Sequence, residues 1–350
     1  MTTFPTSFPI PNFPSRAGVP VLGWGIIGPG SIAEQFAQTF LKNTDQRIVA
    51  VASRSKERAD IFARTFGIDQ TYGSYEALVA DPKVDVVYIA TTQNSHYDIA
   101  VMALNAGKHI LIEKPFTTTA ADAQAIADLS RSRGLFAMEA MWTRYLPQSY
   151  VVRELIKDGT FGEIVLVTAD HGQAIAPGTR LSDPVRGGGA LMDLGIYPIA
   201  FAFDILGKPD KVTTRGTLGE TGVDAQATLT FDYSSKAQAS LTTTMKAKTA
   251  MTAVIAGSHA TLEYSFPFFM PTSFTLSDTE FAGESMRWSD TSGAIAHEGL
   301  SFQVNALAHY VGEGRLESPI HDLAETIAIL DVLDSSRHEI GYWLPGEERP

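Results

Sequence analysis

The sequence predicts two domains of different class: an α/β domain with a parallel sheet, then an α+β domain with an antiparallel sheet. Three observations lead to this prediction. The chain has 350 residues, enough for about two domains of ordinary size. Short apolar strands alternate with helical patterns in the first part, whereas from Lys211 to about Trp288 β-rich stretches follow one another with only turn residues between them. Hydrophobic residues make up 44% and charged residues 19%, which favours a folded globular chain over extended disorder.

The alternation places the parallel sheet in a first domain, residues 21–143. Its strands are predicted at Trp24–Gly28, Arg47–Ser53, Asp85–Ala90, His109–Glu113 and Leu135–Met138. Its helices are predicted at Ser31–Leu41, Lys56–Phe66, His96–Ala106 and Ala120–Arg133. Continuously apolar strands that alternate with helices indicate a parallel sheet covered on both faces.

Residues 144–350 are predicted to form the second domain. Its strands are predicted at Glu163–Ala169, Ala225–Tyr233, Ala237–Met245, Thr252–Ala256 and Ala260–Tyr264, and its helices at Val151–Lys157, Ala190–Leu206, Leu300–Val311 and Leu323–Leu333. Because short turns separate most of these strands, we expect an antiparallel sheet.

Composition excludes several classes of function. The chain has no cysteine, so it holds no disulfide, thiolate metal site, iron–sulfur cluster or cysteine nucleophile. A net charge of −12 argues against a protein that follows the phosphates of a nucleic acid. The histidines lack H-x-x-x-H and H-E-x-x-H spacing, so we expect no metal site. The longest apolar stretch, Ala190 to Leu206, is interrupted by Asp193, Pro198 and Asp204, so we expect no membrane span.

Charge is distributed unevenly between the two predicted domains. Residues 1–143 carry a net charge of −1, and residues 144–350 carry −11. The near-neutral first domain is the better host for a polyanionic ligand, and the acidic second domain disfavours anionic substrates.

Residues 1–20 form a proline-rich arm. Five prolines and the single charged residue Arg16 do not make a signal peptide, so we expect a cytoplasmic protein. Repeated proline favours an extended arm. Its large apolar side chains predict that the arm lies on a protein surface, with a disordered tail as the alternative: Phe4, Phe8, Ile10 and Phe13.

The first chemical motif is the glycine-rich segment Gly28-Pro29-Gly30-Ser31-Ile32-Ala33. It fits the pattern G-x-G-x-x-G/A and lies between a predicted strand and a predicted helix. The glycines permit close approach of backbone N–H groups to a pyrophosphate, and the helix N-terminus adds partial positive charge. We therefore expect a dinucleotide to contact Gly28, Gly30, Ser31 and Ile32.

The end of the second strand indicates which dinucleotide binds. An NAD enzyme usually has a carboxylate about 20 residues after the glycines, to bind the ribose 2′-hydroxyl. Here Ser53 and Arg54 occupy that place, with Arg58 just beyond. Hydroxyl and guanidinium groups bind a 2′-phosphate, so the sequence predicts NADP, with NAD as the alternative.

Two further motifs bear chemical groups. Glu113-Lys114-Pro115 ends a parallel strand, where ligands bind in such sheets. Asp193 and Tyr197 follow a run of three glycines. Because they are four residues apart, they lie on one face of the predicted helix. Their apolar surroundings indicate that the pair is buried and used, since unpaired buried charge is costly.

Two histidines are weaker candidates. His96 starts a helix after the strand Asp85–Ala90, and two interpretations stay open: a helix cap, or contact with the cofactor. His171 lies between a strand and the glycine run; it is a candidate to line the substrate site, but a solvated loop histidine is the favoured interpretation.

Taken in order, these motifs resemble the Gfo/Idh/MocA oxidoreductases, above all the branch of glucose–fructose oxidoreductase and of dimeric dihydrodiol dehydrogenase / NADP-dependent D-xylose dehydrogenase. The segments Met138 to Tyr145, Gly187 to Tyr197 and Glu313 to Pro319 resemble that branch too. The resemblance implies a Rossmann dinucleotide-binding domain over residues 21–143. It implies that residues 144–350 form a substrate-binding and oligomerisation domain with a large open antiparallel sheet. It also implies a homo-oligomer and a carbohydrate-like small-molecule substrate.

The resemblance assigns roles to residues. It implies that Lys114 and Tyr197 act at the substrate carbon, with Asp193 beside them, and that the phenol is the acid–base group where many members have histidine. An ammonium beside a phenol favours the phenolate, which brings proton transfer closer to the working pH. Thr92-Gln93-Asn94 departs from the family's T-P-N sequence. Further contacts with the cofactor are expected from Thr91, Asn94, His96, Glu113, Lys114, Trp142 and Arg144.

The predicted function is hydride transfer between a nicotinamide cofactor and a sugar, polyol or related hydroxyl or carbonyl carbon. Three alternatives stay open. The first is exchange between two sugars with permanently held NADP, and the second is conversion of dihydrodiols or dicarbonyls. The third is a regulator that senses dinucleotide without catalysis, against which the intact Lys114, Asp193 and Tyr197 argue.

Overall fold

The computed structural model describes residues 4–11, 13, 14, 16 and 18–347. Contacts divide the chain into two compact units. The first unit contains Phe13–Tyr145 and Ala294–Leu330, and the second contains Leu146–Gly293 with the described residues before Asn12 and from Asp331 onward. Residues 294–330, which the sequence analysis places in the second domain, thus cluster with the first. The functional boundaries at residues 20 and 143 stay predictions.

The first unit contains a six-stranded parallel sheet in the order β3-β2-β1-β4-β5-β6, as predicted. Its strands are β1 Gly23–Ile27, β2 Arg47–Ala52, β3 Gln70–Tyr72, β4 Val86–Ile89, β5 His109–Ile112 and β6 Ala137–Glu139. Its helices are α1 Ser31–Asn43, α2 Lys56–Phe66, α3 Tyr75–Val79, α4 His96–Asn105, α5 Ala120–Arg133 and α8 Leu300–Gly312. Strand β3 and helix α3 were not predicted, because a strand of three half-buried residues and a helix of five residues are too short to show a clear periodicity.

Burial explains why the strands of this sheet are continuously apolar. Every residue of β1 and β4 is buried, since helices cover both faces. On one face the Phe36 ring of α1 stacks on Tyr88 at 3.9 Å, and Trp24 meets Phe40 edge-on at 5.5 Å. The strand order reverses between β1 and β4, and the crevice at the carboxyl ends of those strands is where such folds bind ligands.

The second unit contains an eight-stranded sheet in the order β14-β13-β12-β11-β7-β10-β9-β8. Its strands are β7 Ile164–Gly172, β8 Lys211–Leu218, β9 Asp224–Asp232, β10 Gln238–Thr244, β11 Ala253–Gly257, β12 Ala260–Tyr264, β13 Ser273–Asp278 and β14 Ser285–Ser289. Its helices are α6 Pro147–Lys157 and α7 Ile196–Leu206, and α9 Leu323–Glu339 runs from the first unit into the second.

The expectation of a purely antiparallel sheet needs one correction. Strands β7 and β10 pair in parallel, with Gln238 opposite Leu166, whereas the other pairs are antiparallel. The reason is that β7 precedes a long helical segment and then fits between β10 and β11, which a short turn does not join. Helix α7 packs on β7 and β10 and covers one face of the sheet.

Two aromatic side chains of the arm pack on the chain itself, whereas Ile10, which was expected to do the same, is 89% exposed. Within the second unit the Phe8 ring meets Phe274 of β13 edge-on at 5.4 Å. Within the first unit Phe13 meets Phe302 of α8 at 5.1 Å. A contact of the arm with a partner subunit stays a prediction.

One helical stretch in the described part of the chain, Pro184–Leu206, is long and apolar enough to cross a membrane by length and composition. However, 72% of its most apolar window is buried inside the protein, as in an ordinary core helix.

Candidate active site

The glycine-rich loop after β1 leaves room for a dinucleotide. Gly28 has φ +92°, and a Cβ there would lie 2.8 Å from Thr91 Cγ2 and 2.9 Å from the Ala90 carbonyl. Gly30 is the N-cap of α1 and makes no side-chain capping bond, and no atom lies within 4 Å of the position its Cβ would take. Ser31 is exposed and Ile32 half-buried. The first-turn N–H groups of α1 therefore lack a side-chain cap, and the binding of a pyrophosphate to them stays a prediction.

The end of β2 presents cationic side chains next to that loop. Ser53 is buried, and its hydroxyl accepts from Ser55 N at 3.3 Å. The Arg58 guanidinium donates to the Pro29 carbonyl at 3.2 Å and so reaches the glycine-rich loop. Arg54 is exposed and has no hydrogen-bond or ion-pair partner among the described residues. The structure thus brings Arg58 to the loop and leaves the Arg54 charge available to a ligand.

His96 joins the loops that follow β4 and β5. Its Nδ1 lies 3.1 Å from the Pro115 carbonyl, and its Nε2 lies 3.2 Å from the Thr91 carbonyl. The ring is buried, which lowers the pKa of His96, so the neutral ring donates to one of these carbonyls. The interpretation of His96 as a helix cap is therefore wrong, because its ring binds these two loops instead. Its contact with the cofactor stays a prediction, as does that of the exposed Asn94.

Lys114 follows β5 directly, and its backbone is fixed by a buried carboxylate. Glu113 Oε2 accepts from Lys114 N at 3.2 Å, and Glu113 Oε1 accepts from the Tyr88 hydroxyl at 2.5 Å. Burial raises the pKa of Glu113. The structure therefore gives Glu113 a positioning role, and the half-buried Lys114 side chain extends from the edge of the sheet where ligands bind. The expected contact of Glu113 with the cofactor stays a prediction.

A buried polar network that was not predicted from the sequence supports the loop after β5. Glu139 of β6 accepts from Phe116 N at 2.8 Å and lies 2.8 Å from His321 Nε2. Glu325 lies near His321 Nδ1 at 3.3 Å and pairs with the buried Arg144. Burial disfavours the charged His321 ring, but its bonds to Glu139 and Glu325 outweigh that cost and raise its pKa. Arg144 is thus held inside the first unit, and its contact with the cofactor stays a prediction.

Asp193 and Tyr197 lie in the second unit, where the helix is irregular. Leu191–Gly195 forms a π-helical turn that continues into α7. Pro198 lacks the N–H that an α-helical bond to the Leu194 carbonyl needs, which accounts for the wider turn. Asp193 Oδ1 accepts from Arg180 at 2.8 Å, a partner that the sequence analysis did not find. The predicted roles of Asp193 and Tyr197 in catalysis stay predictions.

The Tyr197 ring is held in an aromatic cluster. It stacks on Phe269 at 5.0 Å and lies 5.4 Å from the His171 ring, which itself stacks on Phe269 at 4.2 Å. His171 belongs to β7 and is 1% exposed. The favoured interpretation of His171 as a solvated loop residue is therefore wrong, because β7 extends to Gly172 and carries His171 into the core.

Asp224, at the start of β9, explains why glycines precede Asp193. It was not predicted as a site residue. Its carboxylate accepts from Leu191 N at 2.6 Å and so holds the start of the helix. A Cβ on Gly189, which has φ +129°, would collide with Asp224 Oδ1. Glycine is therefore required where this buried carboxylate approaches the backbone.

The variant Asp224→Asn should flatten the dependence of stability on pH between about pH 4 and 7. Burial raises the pKa of Asp224 from 3.8 to about 7, so the folded chain keeps a proton that the unfolded chain releases. The bound proton therefore stabilises the folded chain fully below the pKa that Asp224 has in the unfolded chain. This stabilisation is lost as the pH rises toward its pKa in the folded chain, and it amounts to about 1.4 kcal/mol of unfolding free energy per unit of pKa difference. Urea unfolding at a series of pH values measures it. The control Asp232→Asn, at the other end of β9, should keep the wild-type dependence of unfolding free energy on pH. If Asp224→Asn showed that same dependence, the raised pKa of Asp224 would be contradicted.

Among the described residues, no group of three or more His, Asp or Glu side chains is placed to hold a metal ion. Lys114 and the glycine-rich loop belong to the first unit, whereas Asp193 and Tyr197 belong to the second.

Comparisons with known proteins agree with this geometry. Residues 22–141 match the oxidoreductase family with an NAD-binding Rossmann fold, and residues 151–263 match the GFO/IDH/MocA C-terminal domain. The trans-1,2-dihydrobenzene-1,2-diol dehydrogenase of Sus scrofa is 34% identical over 338 residues, which cover 93% of this chain and 99% of that protein. The enzyme of the same name from Homo sapiens is 33% identical over 332 residues, 94% and 99% of the two chains. The structure of KijD10, a 3-ketoreductase from Actinomadura kijaniata in complex with NADP and TDP-benzene, has a TM-score of 0.79 at 26% identity and covers 91% of this chain and 98% of that one.

The fold and these matches define an NAD(P)-dependent oxidoreductase that acts at hydroxyl or carbonyl carbons. The chain belongs to the Gfo/Idh/MocA family, as its motifs predict.

Proposed function

We propose that the protein is an NADP-dependent dehydrogenase or reductase of sugars, polyols or cyclic diols, with Lys114, Asp193 and Tyr197 as its catalytic residues. The observation that carries this proposal is Lys114 at the carboxyl end of β5, on the same sheet edge as the glycine-rich loop that follows β1. Relatives named as dihydrodiol dehydrogenases match nearly the whole chain, and the related 3-ketoreductase binds NADP. Dihydrodiols and sugars share a ring carbon that bears a hydroxyl beside a second hydroxyl.

The residues divide the chemistry between them. When bound, the nicotinamide cofactor accepts or supplies the hydride. Tyr197 takes the hydroxyl proton in oxidation and returns it in reduction, and its stacking on Phe269 fixes the direction of the phenol. Lys114 holds the reacting oxygen and favours the phenolate of Tyr197. Asp193, oriented by Arg180, binds a substrate hydroxyl.

NADP rather than NAD is the proposed cofactor, and Arg54→Ala tests it. Arg54 is exposed at the end of β2, with its charge available to a 2′-phosphate. Loss of one charge-assisted contact costs about 1.5–3 kcal/mol, so the KM for NADP should rise roughly tenfold or more while that for NAD changes little. Steady-state kinetics with both cofactors measures this. Arg64→Ala, farther along α2, is the matched control, and a wild type that uses NAD equally well would contradict the proposal.

We further propose a homodimer, or a dimer of dimers, formed through the face of the eight-stranded sheet that α7 does not cover. None of the residues in one register row across this face is fully buried, and most of their side chains are small: Thr213, Thr230, Ser240, Thr168, Val254, Glu263, Thr275 and Arg287. Small, hydroxyl-bearing side chains let such a sheet face pack against the same face of a second copy. Light scattering should show at least a dimer at micromolar protein concentration. The variant Ser240→Arg places a large charged side chain on this face and should shift the equilibrium toward the monomer. A monomeric wild type would rule the proposal out.

The activity is tested by a screen for NADPH formation from NADP with D-xylose, other aldoses, polyols and trans-1,2-dihydrobenzene-1,2-diol. We expect turnover of at least one neutral vicinal diol. Absence of turnover in both directions, with NADP binding intact, would favour a dinucleotide-sensing protein instead. NADP that co-purifies with the protein and stays bound during turnover would favour exchange between two sugars. The cytoplasmic location is part of the same proposal.

A further inference from the structure

The last described segment of the chain, residues 342–347, lies against the start of the helical stretch that carries Asp193 and Tyr197. Both segments belong to the second unit. Residues 342–347, which we call the C-terminal strap, contain no helix or strand. Because no backbone ladder holds the C-terminal strap, its position depends on the contacts of its side chains.

Tyr342 of the C-terminal strap binds the glycine run that precedes Asp193. Its hydroxyl donates to the Gly188 carbonyl at 2.9 Å, in a bond that is buried. A Cβ on Gly189 would lie 3.4 Å from Cε1 of the Tyr342 ring. The phenol therefore packs on the bare backbone of the run and also fixes it with a hydrogen bond.

Apolar contacts join the C-terminal strap to the residue next to Asp193. One buried cluster contains Met192, Val223, Tyr342 and Leu344. Met192 immediately precedes Asp193 in the π-helical turn. Because the two residues are adjacent in one turn, a displacement of the C-terminal strap would displace the Asp193 carboxylate as well.

A buried ion pair anchors the C-terminal strap to α9. The fully buried Arg337 guanidinium donates to Glu347 Oε1 at 2.9 Å and to Oε2 at 3.0 Å, a two-bond geometry that fixes direction as well as distance. Glu347 Oε2 also accepts from Leu344 N at 2.6 Å, and the Trp343 ring stacks on His338 at 3.8 Å. Burial disfavours the charge of Glu347, but its bonds to Arg337 and Leu344 N outweigh that cost and lower its pKa to about 2. The anchor therefore stays charged at neutral pH.

We propose that Tyr342 is a positioning residue for the reaction, through which the C-terminal strap sets the direction of the Asp193 and Tyr197 side chains. This inference rests on the proposed function, which gives those two side chains their roles at the substrate. Proton transfer and hydroxyl binding require accurate placement, so a looser glycine run lowers the rate. The glycine-rich loop proposed to bind NADP lies in the first unit, so cofactor affinity does not depend on the C-terminal strap.

Tyr342→Phe tests the proposal, because it keeps the buried ring and removes the bond to Gly188. With the substrate that the wild type converts best, kcat should fall about tenfold while the KM for NADP stays unchanged. The matched control is Tyr233→Phe. The Tyr233 hydroxyl donates to the Gly207 carbonyl at 3.2 Å, which is the same kind of bond at the opposite end of α7. The control should keep the wild-type kcat. An unchanged kcat in Tyr342→Phe, or an equal loss in both variants, overturns the inference.

The role of the whole C-terminal strap is tested by Glu347→Gln, which removes the charge that anchors it to Arg337. This variant should also lower kcat several-fold and leave the KM for NADP unchanged. If Glu347→Gln kept the wild-type kcat, the anchor would have no part in positioning and the inference would be overturned.

Hydrogen exchange measures the same effect without turnover. Amides of residues 187–197 should exchange faster in Tyr342→Phe than in the wild type, whereas those of residues 199–207 should be unchanged. Equal exchange in residues 187–197 overturns the inference. A wild type that converts no hydroxylated substrate overturns the proposed function together with it, whereas an active wild type with an unaffected Tyr342→Phe overturns the inference alone.

Discussion

Replacing Tyr197 by phenylalanine should lower kcat by about 10²–10⁴-fold, the usual contribution of a general acid–base group, and leave NADP binding nearly intact. Phenylalanine retains the stack on Phe269 and the contact with His171, so the aromatic cluster is preserved while the transferable proton is lost. Steady-state kinetics with the best substrate, together with NADP titration, measures both effects.

The matched control for this variant is Tyr264→Phe. Tyr264 is a buried tyrosine of β12 in the same unit, packed edge-on against Phe201 at 5.4 Å. Its hydroxyl has no role in the proposed chemistry, so kcat should stay at the wild-type value. Activity of Tyr197→Phe within a few-fold of wild type would remove Tyr197 from the mechanism and leave Lys114 or His171 as the proton-transferring residue.

Replacing Lys114 by methionine should lower kcat by a similar factor, about 10²-fold or more, and change the pH profile of kcat. Methionine has similar length but neither holds the reacting oxygen nor favours a phenolate. The backbone at residue 114 is held by Glu113, so the loop should keep its conformation in the variant. The pH dependence of kcat and of kcat/KM checks both parts of the prediction.

Lys108 provides the control, because it precedes β5 whereas Lys114 follows it. The Lys108 ammonium donates to the carbonyls of Asp81 at 2.9 Å and Val84 at 2.7 Å, a purely structural role. Lys108→Met should therefore lower the melting temperature and leave kcat unchanged. If Lys114→Met behaved like Lys108→Met, the role of Lys114 would be structural.

Sequence patterns predicted the parts of the fold that local chemistry determines. The Gly28 turn, the buried strands β1, β4 and β5 and the helices between them follow from glycine geometry and apolar runs. The position of β7 could not be predicted in this way. It depends on pairing between segments that lie about 70 to 90 residues apart, where Leu166 meets Gln238 and Ala256.

The candidate site was predicted where a motif is contiguous and missed where the fold assembles it from remote segments. The network from Glu139 to His321 joins residues 182 positions apart, and Asp224 meets the glycine run from another strand. A signal did exist for Glu139, which is an acidic residue inside the apolar stretch Phe136 to Met141.

The most direct test of the proposed activity uses a substrate deuterated at the carbinol carbon. The wild type is mixed with NADP and the labelled diol or sugar, and the NADPH formed is analysed by mass spectrometry. An oxidoreductase that acts at a CH–OH carbon should give NADPH with one deuterium per molecule of oxidised substrate, and Lys114→Met should give almost none in the same time. NADPH that carries no deuterium, or labelled NADPH formed equally well by Lys114→Met, would contradict the account.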